Sequence, residues 1–350
     1  MTNKIALIND THFGIKNDSP FFLQKNLEYF EKVFFPYIKE NNIDTIVHLG
    51  DFFDRRKYIN FHTLNEVRTR FLEKIDKNVT FHIILGNHDT FFKNTNEVNS
   101  LKELLRGYPN IIVHDKVITT ELKGLSVTLV PWINDNNKTE YMDCIKNSNS
   151  SIVMGHFEIA GFEVIDGVKH PCGISKHEFT RFEMVISGHF HIKQTIDNIY
   201  YLGTQYQMSF GDASSRKGFH ILDASTRELT FIENEDAVFN IIYYDDSFDF
   251  TDTSADEILE KFKNTFIKVV VRCKTKPFMF DKFMDKLYNI PTQEITVIED
   301  YGEKTVNSII DVSEDTLSII NKEIDDLQND LNKDKLKLIV KDLYMESNLL

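Results

Sequence analysis

The chain has 350 residues, 41% of them hydrophobic and 27% charged, with a formal net charge of −14. That acidic balance argues against a simple basic nucleic-acid binder, and the length exceeds what a single core usually serves, so one main domain with an appendage is expected. No apolar run approaches the roughly 18 residues of a membrane span, no basic and apolar leader is seen, and Cys144, Cys172 and Cys273 lack any CxxC spacing; a reduced, cytoplasmic chain without a membrane role is expected.

In chain order, residues 4–9 run apolar into Asp10 and His12, and a helical period follows over 22–39. Residues 45–49 lead into Gly50, Asp51 and Asp54, a second helical period covers 61–76, and 81–85 lead into Gly86, Asn87 and His88. Short apolar runs of this length predict buried strands, and alternation with helices predicts parallel pairing with right-handed crossovers. The polar islands then fall at the carboxyl ends of strands, where such sheets bind ligands.

From 124 to about 233 strand signals dominate: 126–130, 151–154 ending at Gly155-His156, 184–187 ending at Gly188, His189 and His191, then 199–202, 218–222 and 228–232. A second sheet packed on the first is expected, giving a four-layer α/β/β/α sandwich of the α/β class, with the polar islands at an edge shared by both sheets. Farther on, a strand at 266–272, a helix at 281–288 and a strand at 294–298 predict a small α+β capping domain. Leu317, Ile320, Ile324, Leu327 and Leu331 then mark an amphipathic helix, and a second helix at 334–345 would complete a pair. That pair suits either packing on the cap or docking a partner. The organisation reads as 1–235, 236–310 and 311–350. Residues 1–230 carry a net charge of −2 and 231–350 carry −12; the stretch 233–260, with ten acids and no base, reads as a solvated connector and helix start.

Carboxylate, carboxamide and imidazole without thiolate suit a divalent transition metal, and each island after the first follows a Gly that permits a sharp turn. Asp51 is placed to bridge two ions about 3.5 to 4 Å apart. Asp10, His12 and His191 would complete one, and Asn87, His156 and His189 the other. So many imidazoles favour Mn²⁺, Fe²⁺ or Zn²⁺ over Mg²⁺. His88 remains as proton donor to a leaving oxygen, with the Asp54 carboxylate as its expected orienter. His48, His62, His82, His114, His170, His177 and His220 are read as structural. Arg55, Arg56 and Lys93 adjoin the islands and are candidate contacts for substrate phosphates, with solubilising surface as the alternative.

These motifs, in this order, resemble the calcineurin-like metallophosphoesterase superfamily. The continuation Tyr201-Leu-Gly-Thr204, Met208-Ser-Phe-Gly-Asp212 and Lys217-Gly-Phe-His-Ile-Leu222 is similar to nuclease subunits of the SbcD type. The resemblance covers 1 to about 235 well and the remainder in outline. It implies a metallophosphoesterase sandwich with a capping domain that helps hold DNA, and a manganese-dependent enzyme carrying two divalent ions. It further implies 3′ to 5′ exonuclease action on duplex DNA and endonuclease action on single strands, which makes Arg55, Arg56 and Lys93 candidate DNA contacts. The implied partner is an SMC-like coiled-coil ATPase, in a complex of two nuclease and two ATPase subunits used in DNA recombination and repair. The nuclease homodimer would form through helices at 61–76 and 96–106. The sequence departs at Asp54, where several members carry His, which puts its role in question. Two other readings compete: a phosphatase or phosphodiesterase acting on nucleotides or phosphoproteins, and a non-catalytic scaffold for DNA ends or an ATPase. Intact candidate ligands at every island argue against the scaffold, and the tail after His191 argues against a small phosphatase.

Overall fold

The computed structural model describes residues 2–247 and 260–300, together with 324, 333 and 335–337. Apart from those few positions, the predicted helical pair at 317–331 and 334–345 lies outside the described residues. The chain forms two compact units, Met1–Met208 with Ser214–Asp236, and Ser209–Ala213 with Ala237–Leu350.

The first unit is built on two six-stranded sheets. Strands Lys4–Ile8, Thr45–His48, Thr80–Ile84 and Ile111–His114 lie side by side and parallel. In the other sheet Leu125–Val130, Ile152–His156, Met184–Gly188 and Ile199–Tyr201 are parallel, and Ile118–Leu122 and Gln194–Ile196 close its edges as antiparallel hairpin partners.

Strand alternation sorts these residues into layers. Ile5, Leu7, Val47 and Ile84 from the first sheet meet Val127, Leu129, Met154 and Ile186 from the second in a core between the sheets. Ala6, Ile8 and Ile46 point the other way, into a phenylalanine-rich layer with Leu27, Phe30, Phe34, Val67 and Phe71 from the helices. Val153 and Val185 face a third core with Tyr141 and Ile145 of helix Lys138–Asn147. The result is the expected α/β/β/α sandwich.

Several details differ from the sequence reading. Strands Lys217–Asp223 and Leu229–Asn234 join the first sheet, antiparallel beside Lys4–Ile8, and not the second. Their residues explain the placement: Phe219 and Ile221 fill the helix-side core while Leu222 fills the inter-sheet core, so this strand needs cover on both faces. The helical period at 22–39 breaks into Pro20–Tyr29, a π-helical turn Phe30–Phe34, and Phe35–Glu40. Pro36, which has no N–H to donate, sits just past the wide turn. Helix Phe61–Arg70 ends in a 3₁₀ turn, Leu72–Lys74, and the helix expected at 96–106 spans only Ser100–Leu105, because Asn99 caps it by accepting from the Lys102 N–H at 2.9 Å.

In the second unit three parallel strands, Phe239–Tyr244, Phe266–Val271 and Glu294–Glu299, carry helix Pro277–Tyr288. Phe280, Phe283, Met284 and Leu287 pack on Ile267, Val269, Val271 and Tyr244. The first of these strands falls in the stretch expected to be a solvated connector. Its acids flank the run from Val238 to Tyr244 and leave the apolar core of that run intact. Among the described residues no helix is long and apolar enough to cross a membrane.

Candidate metal centre

Past their strands, the loops carrying Asp10 and Asp51 keep running side by side. Asp10 N–H donates to the Gly50 carbonyl at 2.9 Å, His12 to Asp51 at 3.1 Å, Phe13 to Phe52 at 3.0 Å, and Asp54 back to Phe13 at 3.1 Å. Polar loop residues alternate with Phe13, Phe52 and Phe53, all almost fully buried. Burying each ring is worth about 1.5–3 kcal/mol, which anchors the ligand-bearing backbone to the helix-side core. Phe13 and Phe52 meet edge to face at 5.2 Å, and Phe71 packs 5.6 Å from Phe52.

The backbone here is forced into unusual shapes. Asp10, His12, Asp51 and His189 all have positive φ, at 47°, 42°, 57° and 88°. Non-glycine residues adopt that region at a cost, and such strain concentrates at functional sites. The glycines have different tasks. Gly50, at φ 92°, does turn the chain, but Gly86 is needed for space: a Cβ there would stand 2.1 Å from Asp51 Oδ1.

The structure brings Asp10, His12, Asp51, Asn87, His156, His189 and His191 together. Asp10, His12 and His191 form one cluster able to hold an ion, and Asp51, His156 and His189 another. His12 Nε2 lies 3.8 Å from Asp10 Oδ1 and 3.6 Å from Asp51 Oδ2, while His156 Nε2 lies 3.3 Å from Asp51 Oδ2 and 4.0 Å from Asp10 Oδ1. His191 Nε2 is 4.0 Å from Asp10 Oδ1. Asn87 Oδ1 sits between His156 Nε2 at 3.0 Å and His189 Nδ1 at 3.1 Å. Most of these separations are too long for hydrogen bonds and suit neighbouring ligands on one ion, whose bonds to nitrogen and oxygen run about 2.0–2.2 Å. Asp10 Oδ1 and His12 Nε2 are buried without a hydrogen-bond partner, which a cation would supply. The residues present therefore fit a pair of divalent ions.

Electrostatics point the same way. Burial disfavours a charged imidazole at His12, yet the carboxylates of Asp54, Asp51 and Asp10 hold its pKa up at about 9. At His156 burial is likewise outweighed by Asp51 and Asp10, again to about 9. At His189 desolvation, with the neighbouring His156, pushes the pKa down to about 3. Carboxylates that draw protons onto two buried imidazoles constitute a demand for positive charge, which a metal meets while displacing those protons.

A second ring of contacts holds the ligands. His156 Nδ1 donates to the Leu49 carbonyl at 2.7 Å, leaving Nε2 to face the centre. Asp10 Oδ2 accepts from the His189 N–H at 2.9 Å and from the Asn9 amide, which also donates to the Gly203 carbonyl at 3.0 Å. Lys217 Nζ and the Thr204 N–H both donate to the His191 carbonyl, at 2.8 and 3.1 Å. Asp89, fully buried, accepts from the N–H groups of Asp51 (2.8 Å), Phe52 (3.1 Å) and Gly86 (2.8 Å). Burial and the Asp51 carboxylate push its pKa upward against those donors. Asp89, Asn9 and Lys217 were not assigned a role from sequence. Asp89 could have been, since it closes the Gly86-Asn-His-Asp island.

The Asp54 carboxylate is not placed as expected. Oδ1 pairs with His12 Nδ1 at 3.3 Å, and it is the Asp54 backbone carbonyl that lies 2.5 Å from His88 Nδ1. The loop turn at Asp54 aims its carbonyl at one imidazole and its side chain at another, a division that residue spacing cannot show. His88 in turn donates its N–H to Asp51 Oδ1 at 2.8 Å, and its ring stands edge-on to His12 at 4.8 Å. Arg55 is committed locally, donating to Tyr58 Oη at 2.7 Å and Asn17 Oδ1 at 2.8 Å and lying 3.5 Å from Asp18. It thereby clamps a turn in which Lys16, Asn17 and Asp18 all have positive φ. Arg56 is half-buried, and burial lowers its pKa against the pull of Asp51 and Asp89. Lys93 is exposed.

The remaining histidines are not members of the ligand clusters found among the described residues. His48 is buried against Thr11 Oγ1 at 3.1 Å, His82 and His114 stack on each other with ring nitrogens 3.0 Å apart, His170 meets Glu158 at 2.8 Å, His220 is buried, and His62 and His177 are exposed.

Comparison with known proteins gives three findings. Residues 3–193 match the family model described as "Calcineurin-like phosphoesterase". The chain is 31% identical over 325 residues to "Exonuclease subunit 1" of Enterobacteria phage T4, covering 89% of this chain and 94% of the phage protein. A solved archaeal structure, described as a novel archaeal phosphodiesterase, aligns at 17% identity over 66% of this chain and 99% of its own, with a TM-score of 0.34.

Proposed function

This chain belongs to the calcineurin-like phosphoesterase family, and from that premise we propose that it is a metal-dependent DNA nuclease that cleaves phosphodiester bonds with two divalent ions. The observation carrying this reading is the convergence of seven donor side chains, Asp51 and six others, in a chain whose phage relative is named an exonuclease subunit. Two ions held there would supply a nucleophilic water and stabilise the charge that develops on the phosphoryl group.

The protein's own groups divide the remaining work. Asp51 and Asp10 balance the ions' charge. Asn87 and the four histidines set their positions, and the Leu49 carbonyl and Asp89 keep that shell in register. His88 is the proposed proton donor to the leaving oxygen; its Nδ1 bond to the Asp54 carbonyl directs Nε2 outward, and a positioned general acid is worth roughly 10²–10⁴ in rate. We place manganese at the centre because imidazole-rich ligation disfavours Mg²⁺. DNA contact falls to Lys93 and Arg56, with Arg55 serving the fold. Exonuclease action on duplex and endonuclease action on single strands, a cytoplasmic setting, a homodimer and an SMC-like ATPase partner complete the proposal. The printed word "subunit" in the relative's name and Phe61, 86% exposed at the start of its helix, support an assembly.

The test is hydrolysis of labelled duplex, single strand and a generic phosphomonoester with Mn²⁺, for the parent and Asp51→Ala. Turnover on DNA should fall on the order of 10³-fold in the variant. Preference for the monoester would replace the nuclease with a phosphatase. His88→Asn should keep metal stoichiometry and lose about 10²-fold or more in kcat.

A further inference from the structure

Next to the candidate centre lies a cavity of about 230 Å³ that has His156 as part of its wall and is lined also by Trp132, Asn134, Lys93, Lys138 and Glu158. We propose that it is a nucleoside subsite, taking the base and sugar of the nucleotide whose phosphate lies at the metal centre, with the base stacked on Trp132. This rests on the phosphodiesterase reading of the same centre and names the part of the substrate that the ions do not hold.

Position comes first. The Trp132 ring centroid is 5.3 Å from that of His189 and 5.9 Å from that of His156, so a group on the indole is one residue's width from the ligand shell. Rigidity is the second point. The Trp132 backbone N–H donates to the Leu85 carbonyl at 2.8 Å, and the Trp132 backbone carbonyl accepts from Asn96 Nδ2 at 3.0 Å and Asn137 Nδ2 at 3.1 Å. Asn134, buried, donates to Asn96 Oδ1 at 2.9 Å and accepts from the N–H groups of Asn136 and Asn137. A half-buried aromatic on so braced a loop loses little freedom when a flat ring settles on it.

The chemistry of the lining then selects the ligand. Lys93 and Lys138 are offset by Asp135 and Glu158, a mixture that suits a neutral ring with donors and acceptors better than a bare phosphate. The volume lies below the roughly 300–1,000 Å³ of pockets for drug-sized ligands, which fits one nucleoside and no more. Base stacking on an aromatic is worth about 1–3 kcal/mol and tolerates every base, so the subsite would add affinity without strong sequence preference.

Trp132 is the sole tryptophan of the chain, and its emission reports on the cavity and on the two imidazoles beside it. Titration of the full chain, without metal, by a deoxynucleoside monophosphate should change that emission saturably, and deoxyribose phosphate should not. Trp132→Ala should raise KM for a short oligonucleotide, relative to KM for a small aryl phosphodiester, roughly tenfold, with Trp132→Phe recovering most of it. An abasic residue beside the scissile bond should reproduce that loss in the parent and add nothing in Trp132→Ala. An emission indifferent to the nucleotide overturns the subsite. So does an equal loss of kcat on both substrates, which would make the indole a prop for the histidines. Inactivity of the parent on both substrates with the emission response intact would sink the phosphodiesterase reading and leave the subsite standing.

Discussion

His156 and His191, one from each cluster of the candidate metal centre, are held to different standards. His156 is wholly buried, directed by the Leu49 carbonyl, backed by Asn87 and set against an Asp51 whose own backbone is tied to Asp89. His191, in the other half, has a side chain 34% exposed and is steadied at its backbone carbonyl by Lys217 and Thr204. The difference teaches that, on the proposed reading, His156 is a ligand preorganised by buried polar contacts and His191 is the ligand that faces solvent, where substrate would arrive.

The contrast is most sharply broken by exchanging the two ligands' fates. His156→Asn should raise the Mn²⁺ concentration for half-maximal activity by about 100-fold or more, and His191→Asn by nearer tenfold; equal shifts would erase the asymmetry. Asp89→Asn is expected to act next in size, because an amide cannot accept all three N–H groups without turning a donor on one of them. Metal affinity measured by calorimetry should drop about 10-fold, with a loss of about 1–3 kcal/mol in unfolding free energy, and a variant with only the stability loss would detach Asp89 from the centre.

The smallest effect concerns histidines outside the centre. Burial, with the neighbouring His82, depresses His114 to about 4, and burial, with Lys193, depresses His220 to about 3. Both are held neutral in the fold, so the unfolded chain binds more protons below its ordinary value of 6.5. Their contribution is fully present above pH 6.5 and is lost progressively as pH falls toward 4 and then 3. The melting temperature should decline below pH 6.5, and His220→Leu should flatten that decline; an unchanged slope would assign acid sensitivity elsewhere.

Much of the centre was legible because its residues end apolar runs, and an apolar run that stops at a carboxylate or imidazole is visible without knowing what it pairs with. Asp10, Asp51, Asn87, His156, His189 and His191 are of this kind. What could not be read depends on long-range pairing. Strands Lys217–Asp223 and Leu229–Asn234 look alike in any sheet, and only the pairing Lys4 with Asp223 settles theirs. Asp54 offers two acceptors, and residue type does not say that the carbonyl meets His88 and the carboxylate meets His12. The strand Phe239–Tyr244 was hidden by averaging charge over its acidic flanks.

The antiparallel bond between the strands Lys4–Ile8 and Lys217–Asp223 joins segments more than 200 residues apart, and the same late strand carries the lysine that steadies His191. Contacts of such sequence separation form slowly, and during synthesis they cannot form at all until the ribosome has released residue 223. A growing chain therefore carries every candidate ligand for some time without the support that aligns them, and the proposed nuclease activity would arrive late and all at once.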